Sequence, residues 1–187
     1  MPGERQEALD SSPDAVASDP GLDLVALGCF GRIQALMPDA QVEATWEPPP
    51  SRMLFRHFPL WRIVPGSIVL EAFAQLGSLL LETGSGFSQK ALPAWIERAR
   101  FRRPVDGPEL VHYQVRRLQG DAAGAILEAE ARQADELRVT ARIGFVLAPM
   151  ALFFGPQHLI EYRAWIDARL TRAAREQLQA HPVRRAP

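Results

Sequence analysis

The chain has little of what marks several large classes of protein. Cys29 is its only cysteine, which excludes an intrachain disulfide and a cysteine-based zinc site. Lys90 is its only lysine, although lysine and arginine together number 21. Those 21 cations against 22 carboxylates leave a net charge of −1, so the overall field offers nothing to attract nucleic acid. Long apolar runs are missing too. Ile68 to Leu81, the greasiest segment, is interrupted by Glu71 and Gln75 and is too short to span a bilayer of about 30 Å. The opening MPGERQEALDSSPD lacks the apolar stretch of a secretory signal. A soluble cytoplasmic protein is the expectation, and no internal repeat is evident.

At 187 residues the length suits one domain with a real core, and not two. Residues 1–21 are rich in Ser, Asp, Ala and Pro without periodicity, which predicts a segment with no fixed structure. The folded domain is expected over 22–149, and a helical extension with a tail over 150–187. Acidic residues crowd the start (Glu4, Glu7, Asp10, Asp14, Asp19, Asp23), whereas the end carries Arg163, Arg169, Arg172, Arg175, Arg184 and Arg185.

Hydropathy patterning divides the middle of the chain. Leu22 to Phe30 fits a strand or one or two helical turns equally well. Gly31–Leu36 and Gln41–Trp46 flank Met37-Pro38-Asp39-Ala40 and predict a hairpin. Pro48-Pro49-Pro50 breaks regular structure, and a loop runs on to Val64. Gly66 to Thr83 predicts a helix whose polar residues Ser67, Glu71, Gln75, Ser78 and Glu82 form one narrow stripe. Every other face is apolar, so other structure must wrap it.

Period-two alternation follows. Trp95, Glu97, Ala99 and Phe101 alternate with Ile96, Arg98, Arg100 and Arg102. Three further segments, Val111–Arg116, Ala125–Arg132 and Leu137–Phe145, alternate likewise, with turns at Asp106-Gly107-Pro108, Gly120-Asp121 and Ala134-Asp135. One apolar and one polar face predict an antiparallel sheet covered on a single side. The economical packing is an α+β fold, a curved sheet wrapped around the long helix. Pro156 to about Ala180 predicts one more helix, with Leu159, Tyr162, Ile166 and Leu170 as its docking stripe.

Chemistry concentrates in Phe55 to Gln75, FRHFPLWRIVPGSIVLEAFAQ. A titratable base on a loop, His57, and a carboxylate on an apolar helix, Glu71, suit proton abstraction at one atom and donation at its neighbour. By spacing alone His57 also reads as an ordinary loop histidine, and Glu71 as part of a solvated stripe. His112, His158 and His181 belong to no motif and read as surface residues.

This stretch resembles the β-hydroxyacyl-acyl carrier protein dehydratases of fatty-acid and polyketide synthesis, which have a hot-dog fold. Their Gly-His-Phe-Pro, Pro-Gly and Glu-Ala-Met-Ala-Gln runs correspond here to Arg56-His57-Phe58-Pro59, Val64-Pro65-Gly66 and Glu71-Ala72-Phe73-Ala74-Gln75. The spacing of fourteen from histidine to glutamate is kept. Arg100-Phe101-Arg102-Arg103-Pro104-Val105 resembles the family's Phe-Arg-x-Pro-Val.

The resemblance implies dehydration of (3R)-3-hydroxyacyl-acyl carrier protein to the trans-2-enoyl thioester. His57 would be the base at C2 and Glu71 the acid at the C3 hydroxyl. The acid must hold its proton, which burial favours. Free N–H groups at the helix start near Gly66 would face the thioester oxygen. Gln75 would support Glu71. The site would form between two copies of the chain, as a homodimer, a higher assembly of dimers or a heterodimer with another hot-dog subunit. No metal and no organic cofactor is implied, since the substrate carries its own phosphopantetheine arm.

The departures from the pattern matter as well. Arg56 replaces a glycine, and Leu60-Trp61-Arg62 replaces a Gly-x-Pro segment, so Phe58 and Trp61 are expected to shape the acyl tunnel. These changes and the extra C-terminal helix point to a polyketide, polyene or other specialised fatty-acid pathway. Acidic acyl carrier protein would dock on arginines, with Arg98, Arg100, Arg102 and Arg103 as candidates. The rivals are a hot-dog thioesterase or isomerase, and a non-catalytic hot-dog subunit that binds acyl carrier protein or a catalytic partner.

Overall fold

The computed structural model describes residues 29–48 and 61–180. The expectations for residues 1–21, His57 and Phe58 lie outside the described residues. Within them the chain runs β1 (Arg32–Met37), β2 (Gln41–Trp46), β3 (Ile63–Val64), α1 (Gly66–Gly84), β4 (Gln89–Phe101), β5 (Val105–Asp106), β6 (Val111–Gly120), β7 (Gly124–Gln133) and β8 (Glu136–Pro149). A short 3-10 turn, Met150–Leu152, leads to α2 (Pro156–Asp167) and α3 (Arg172–Ala180). Six strands form one antiparallel sheet in the order β1-β2-β6-β7-β8-β4, and β3 pairs with β5 beside it.

The sheet curls around α1, as the alternation and the all-apolar helix predict. Val69, Phe73, Leu76 and Leu80 of α1 are fully buried against Leu36, Val42, Leu127 and Phe145 of the sheet. Truncating one of these leucines to alanine costs about 2–5 kcal/mol. The turn between β7 and β8 holds both Ala134 (φ 48°) and Asp135 (φ 62°) in the left-handed region, the geometry of a two-residue hairpin.

The alternation expected in β4 does not hold. Bulges between Pro93 and Trp95 and between Ile96 and Arg98 each add a residue. An extra residue swaps the faces of everything beyond it. Trp95 therefore opposes Gly144 on the outer face, its indole filling the space where a Cβ of residue 144 would sit. Ile96, Ala99 and Phe101 oppose the inward residues Ile143, Ala141 and Val139.

The single C-terminal helix expected over 156–180 is two helices. The chain leaves helical geometry after Asp167 because it adds to the edge of β1. The Ile33 amide donates to Arg169 O (2.9 Å) and the Thr171 amide to Ile33 O (3.0 Å). The Thr171 hydroxyl then accepts from the Ala174 amide (3.3 Å) and starts α3. The two edges of the sheet thus differ. The extension covers β1, while β4 leaves Trp95, Ile96 and Phe101 about half exposed (48, 51 and 53%).

Candidate active site

Pro65, in extended conformation (φ −55°, ψ 135°), launches α1, and no side chain caps the helix. Among the described residues no capping side chain partners the first-turn N–H groups; the Ile68 amide donates to Pro65 O (2.9 Å), and the helix start borders a cleft of about 580 Å³. Gly66, Ser67, Phe101, Arg102, Arg103 and Pro104 line it. A Cβ at Gly66 would stand 2.5 Å from the Phe101 ring, so the close approach that requires glycine comes from the protein's own phenylalanine.

One turn further along α1 stands Glu71, about 6 Å on by helical rise from Ser67. Its carboxylate accepts a hydrogen bond from Gln75 Nε2 (3.0 Å), which unites two residues of the expected site. Glu71 is exposed in the single chain, contrary to the burial the sequence suggested. Glu71, Ala74, Gln75 and Ser78 floor a groove of about 780 Å³. Its walls come from Lys90–Pro93 of β4 and from the extension.

The polar stripe of α1 changes character along its length. Ser78 Oγ donates to Ala91 O (2.9 Å). Glu82, fully buried, accepts from Lys90 Nζ (2.6 Å), the Ala91 amide (3.3 Å) and Tyr162 Oη (2.7 Å). Burial pushes the Glu82 carboxyl above its ordinary range, while Lys90, Tyr162 and Ala91 pull it back. Its own burial, and then the Glu71 charge, push the Cys29 thiol up to about 11.

The remaining expected site residues scatter. Trp61 is 69% exposed and lines neither cavity; its carbonyl accepts from the Ile63 amide (2.8 Å) at the approach to β3. Arg102 and Arg103 stand at the helix-start cleft, where Arg103 also pairs with Glu136 (3.0 Å). Arg98 and Arg100 lie on the outer sheet face beside Arg142 and Thr140, in a cleft that Arg102 also lines. There Glu128 pairs with Arg116 and with Arg142 (3.4 Å).

Sequence reasoning missed the Glu82–Lys90–Tyr162 cluster and the rings Phe153, Phe154 and Trp165. The solitary lysine was a signal for the first, and the run Leu152-Phe153-Phe154 for the second.

The FabA-like domain family matches residues 42–142, more than half of the chain. The chain belongs to the FabA-like domain family. A curated relative from Symbiobacterium thermophilum, 3-hydroxyacyl-[acyl-carrier-protein] dehydratase FabZ, is 31% identical over 122 residues, which are 64% of this chain and 86% of that protein. The protein of the same description from Protochlamydia amoebophila is 33% identical over 90 residues, 48% of this chain and 58% of its own length. The chain thus spans less than two thirds of several of the curated relatives it matches. Among solved structures, a hypothetical thioesterase with coenzyme A from Streptococcus pneumoniae aligns with a TM-score of 0.54 at 9% identity, covering 66% of this chain and 91% of that one. A thioesterase from Haemophilus influenzae aligns with a TM-score of 0.50 at 16% identity, covering 62% and 77%. These likenesses establish the hot-dog fold. No described helix is long and apolar enough to cross a membrane.

Proposed function

We propose that the protein dehydrates (3R)-3-hydroxyacyl-acyl carrier protein to the trans-2-enoyl thioester as a cytoplasmic homodimer, in a polyketide, polyene or specialised fatty-acid pathway. The observation that carries this reading is the place of Glu71. It stands between a cleft lined by Gly66 and Ser67 of a helix start and a groove walled by aromatic rings.

The thioester carbonyl lies at the start of α1, where the backbone N–H groups of Gly66 and Ser67 and the helix dipole favour negative charge on its oxygen. His57 takes the proton from C2, which that carbonyl acidifies. The C3–O bond breaks, the hydroxyl takes a proton from Glu71 and leaves as water, and the C2=C3 bond forms. Protonated His57 and ionised Glu71 then exchange a proton through solvent to reset the site. Glu71 must begin protonated. A second copy laid along the half-exposed Trp95, Ile96 and Phe101 would remove this part of α1 from water, and burial favours the uncharged form of a carboxyl. The histidine that serves each Glu71 is then the partner chain's, as the resemblance to the dehydratases implies.

Arg102 and Arg103 at the helix-start cleft suit the phosphate of a phosphopantetheine arm and the acidic surface of a carrier protein. Arg98 and Arg100 extend that positive surface around the strand. The arm belongs to the substrate, and the chemistry calls for no further cofactor.

The test is a 3-hydroxyacyl pantetheine thioester supplied to the purified protein, with enoyl absorbance and free thiol followed together. Enoyl formation without thiol release is expected. Thiol release without enoyl would make the protein a thioesterase, and neither product would leave a binding subunit.

A further inference from the structure

One wall of the groove leading away from Glu71 is built by a part of the chain beyond the family match, which ends at residue 142. Phe153, Phe154, Tyr162 and Trp165 of the extension form one wall, with Phe30 beside them. Resting on the dehydratase reading above, we propose that this wall selects acyl chains that are flat and π-bearing, ending in an aromatic ring or conjugated double bonds.

Ring geometry carries the argument. Phe154 stacks on Tyr162 (centroids 5.4 Å, planes 8° apart), and Tyr162 on Trp165 (6.2 Å, 15°). Trp165 meets Phe30 edge-on (5.8 Å, 83°). A stack presents ring edges along its flank, and those edges attract the electron-rich face of another π-system. A conjugated chain is also rigid, so it loses few rotamers on entering, whereas a saturated chain of equal length loses many.

The tail is uncharged. Among the described residues Lys90 is the one lysine or arginine on the groove wall, which also carries His158 and Glu161, and its charge is matched already. Its Nζ donates to Glu82 (2.6 Å) and lies over the rings of Phe154 (5.7 Å) and Tyr162 (5.1 Å). Among the described residues an anionic tail would find no unmatched lysine or arginine there, and the Glu161 carboxylate would repel it. The volume of about 780 Å³ falls within the range of about 300–1,000 Å³ usual for small-molecule sites. Continuity with Glu71 and Gln75 identifies the occupant as the substrate's own tail.

Two non-reacting analogues of equal carbon count test this, the cinnamoyl and nonanoyl amides of pantetheine. Titration calorimetry on the full chain should show the cinnamoyl amide binding at least about tenfold tighter, the scale of one or two aromatic contacts. Phe153→Ala, on the half-exposed ring, and Trp165→Leu should each narrow that ratio about fivefold. Phe153→Ala serves as the reading should Trp165→Leu fail to fold. Equal affinity for the two amides overturns the proposal, as does a ratio that Phe153→Ala leaves unchanged. So does hydrogen-exchange protection of residues 153–165 in the free protein that neither amide alters, since a second copy or another segment would then fill the groove. Binding is read without turnover, so a failure here and a failure of dehydration are told apart.

Discussion

Glu71 and Glu82 lie on one stripe of one helix and end in opposite surroundings. Among the described residues Glu71 accepts one hydrogen bond, from Gln75, and opens onto a groove. Glu82 is sealed among a lysine, a tyrosine and a backbone amide. The difference comes from what packs on the helix. β4 and α2 close over the stripe at its C-terminal end, whereas at Glu71 the stripe is exposed. A carboxylate with all its acceptors taken holds structure together. A carboxylate facing a cleft is available to a substrate.

The contrast is broken most strongly at Glu82. Glu82→Ala leaves Lys90 without its partner near the core and should cost about 3–5 kcal/mol. Thermal melting measures it, and a loss below about 1 kcal/mol would show that the cluster is not structural. Tyr162→Phe removes one donor to the same carboxylate and should cost about 1.5–3 kcal/mol, the worth of a hydrogen bond to a charged group.

The pH dependence sharpens the same point. Burial holds the Glu82 proton in the folded chain above its ordinary value of 4.5. Its contribution to stability is therefore full below about 4.5 and is lost as pH rises through the raised value. The melting temperature of wild type relative to Glu82→Gln should fall across that window. A difference that grows with pH would reverse the assigned direction. The smallest expected effect is at Gln75. Gln75→Leu should lower kcat severalfold and displace its pH profile, with stability within about 0.5 kcal/mol of wild type. An unaltered pH profile would show that Gln75 does not act through Glu71.

Much of this was legible in the chain. The alternation of Val111–Arg116, Ala125–Arg132 and Leu137–Phe145 marks three strands that pair as consecutive neighbours. The stripe on α1 is also plain, because a 3.6-residue period needs no distant information. Which end of that stripe is buried depends on Tyr162, eighty residues on, and local pattern carries no trace of it. The bulges of β4 were hidden for a related reason. One extra residue changes which face a side chain takes without changing composition, so Trp95 and Ile96 trade places unannounced. The break between α2 and α3 has no glycine or proline to mark it. A bridge from Leu170 to Ile33 makes it, and that is a tertiary event. For the site, residue identities around Glu71 were readable. The aromatic wall was not, since its rings come from an extension that shares no motif with the rest.

The most direct test of the account compares Glu71→Gln with wild type in one preparation, measuring kcat/KM for enoyl formation from a 3-hydroxyacyl thioester alongside thermal stability. The loss of a general acid predicts a fall of at least about a hundredfold. The exposed position of Glu71 predicts a stability within about 0.5 kcal/mol of wild type. Near wild-type turnover by a folded Glu71→Gln would contradict the assignment of Glu71 as the acid, and with it the chemistry proposed for this helix.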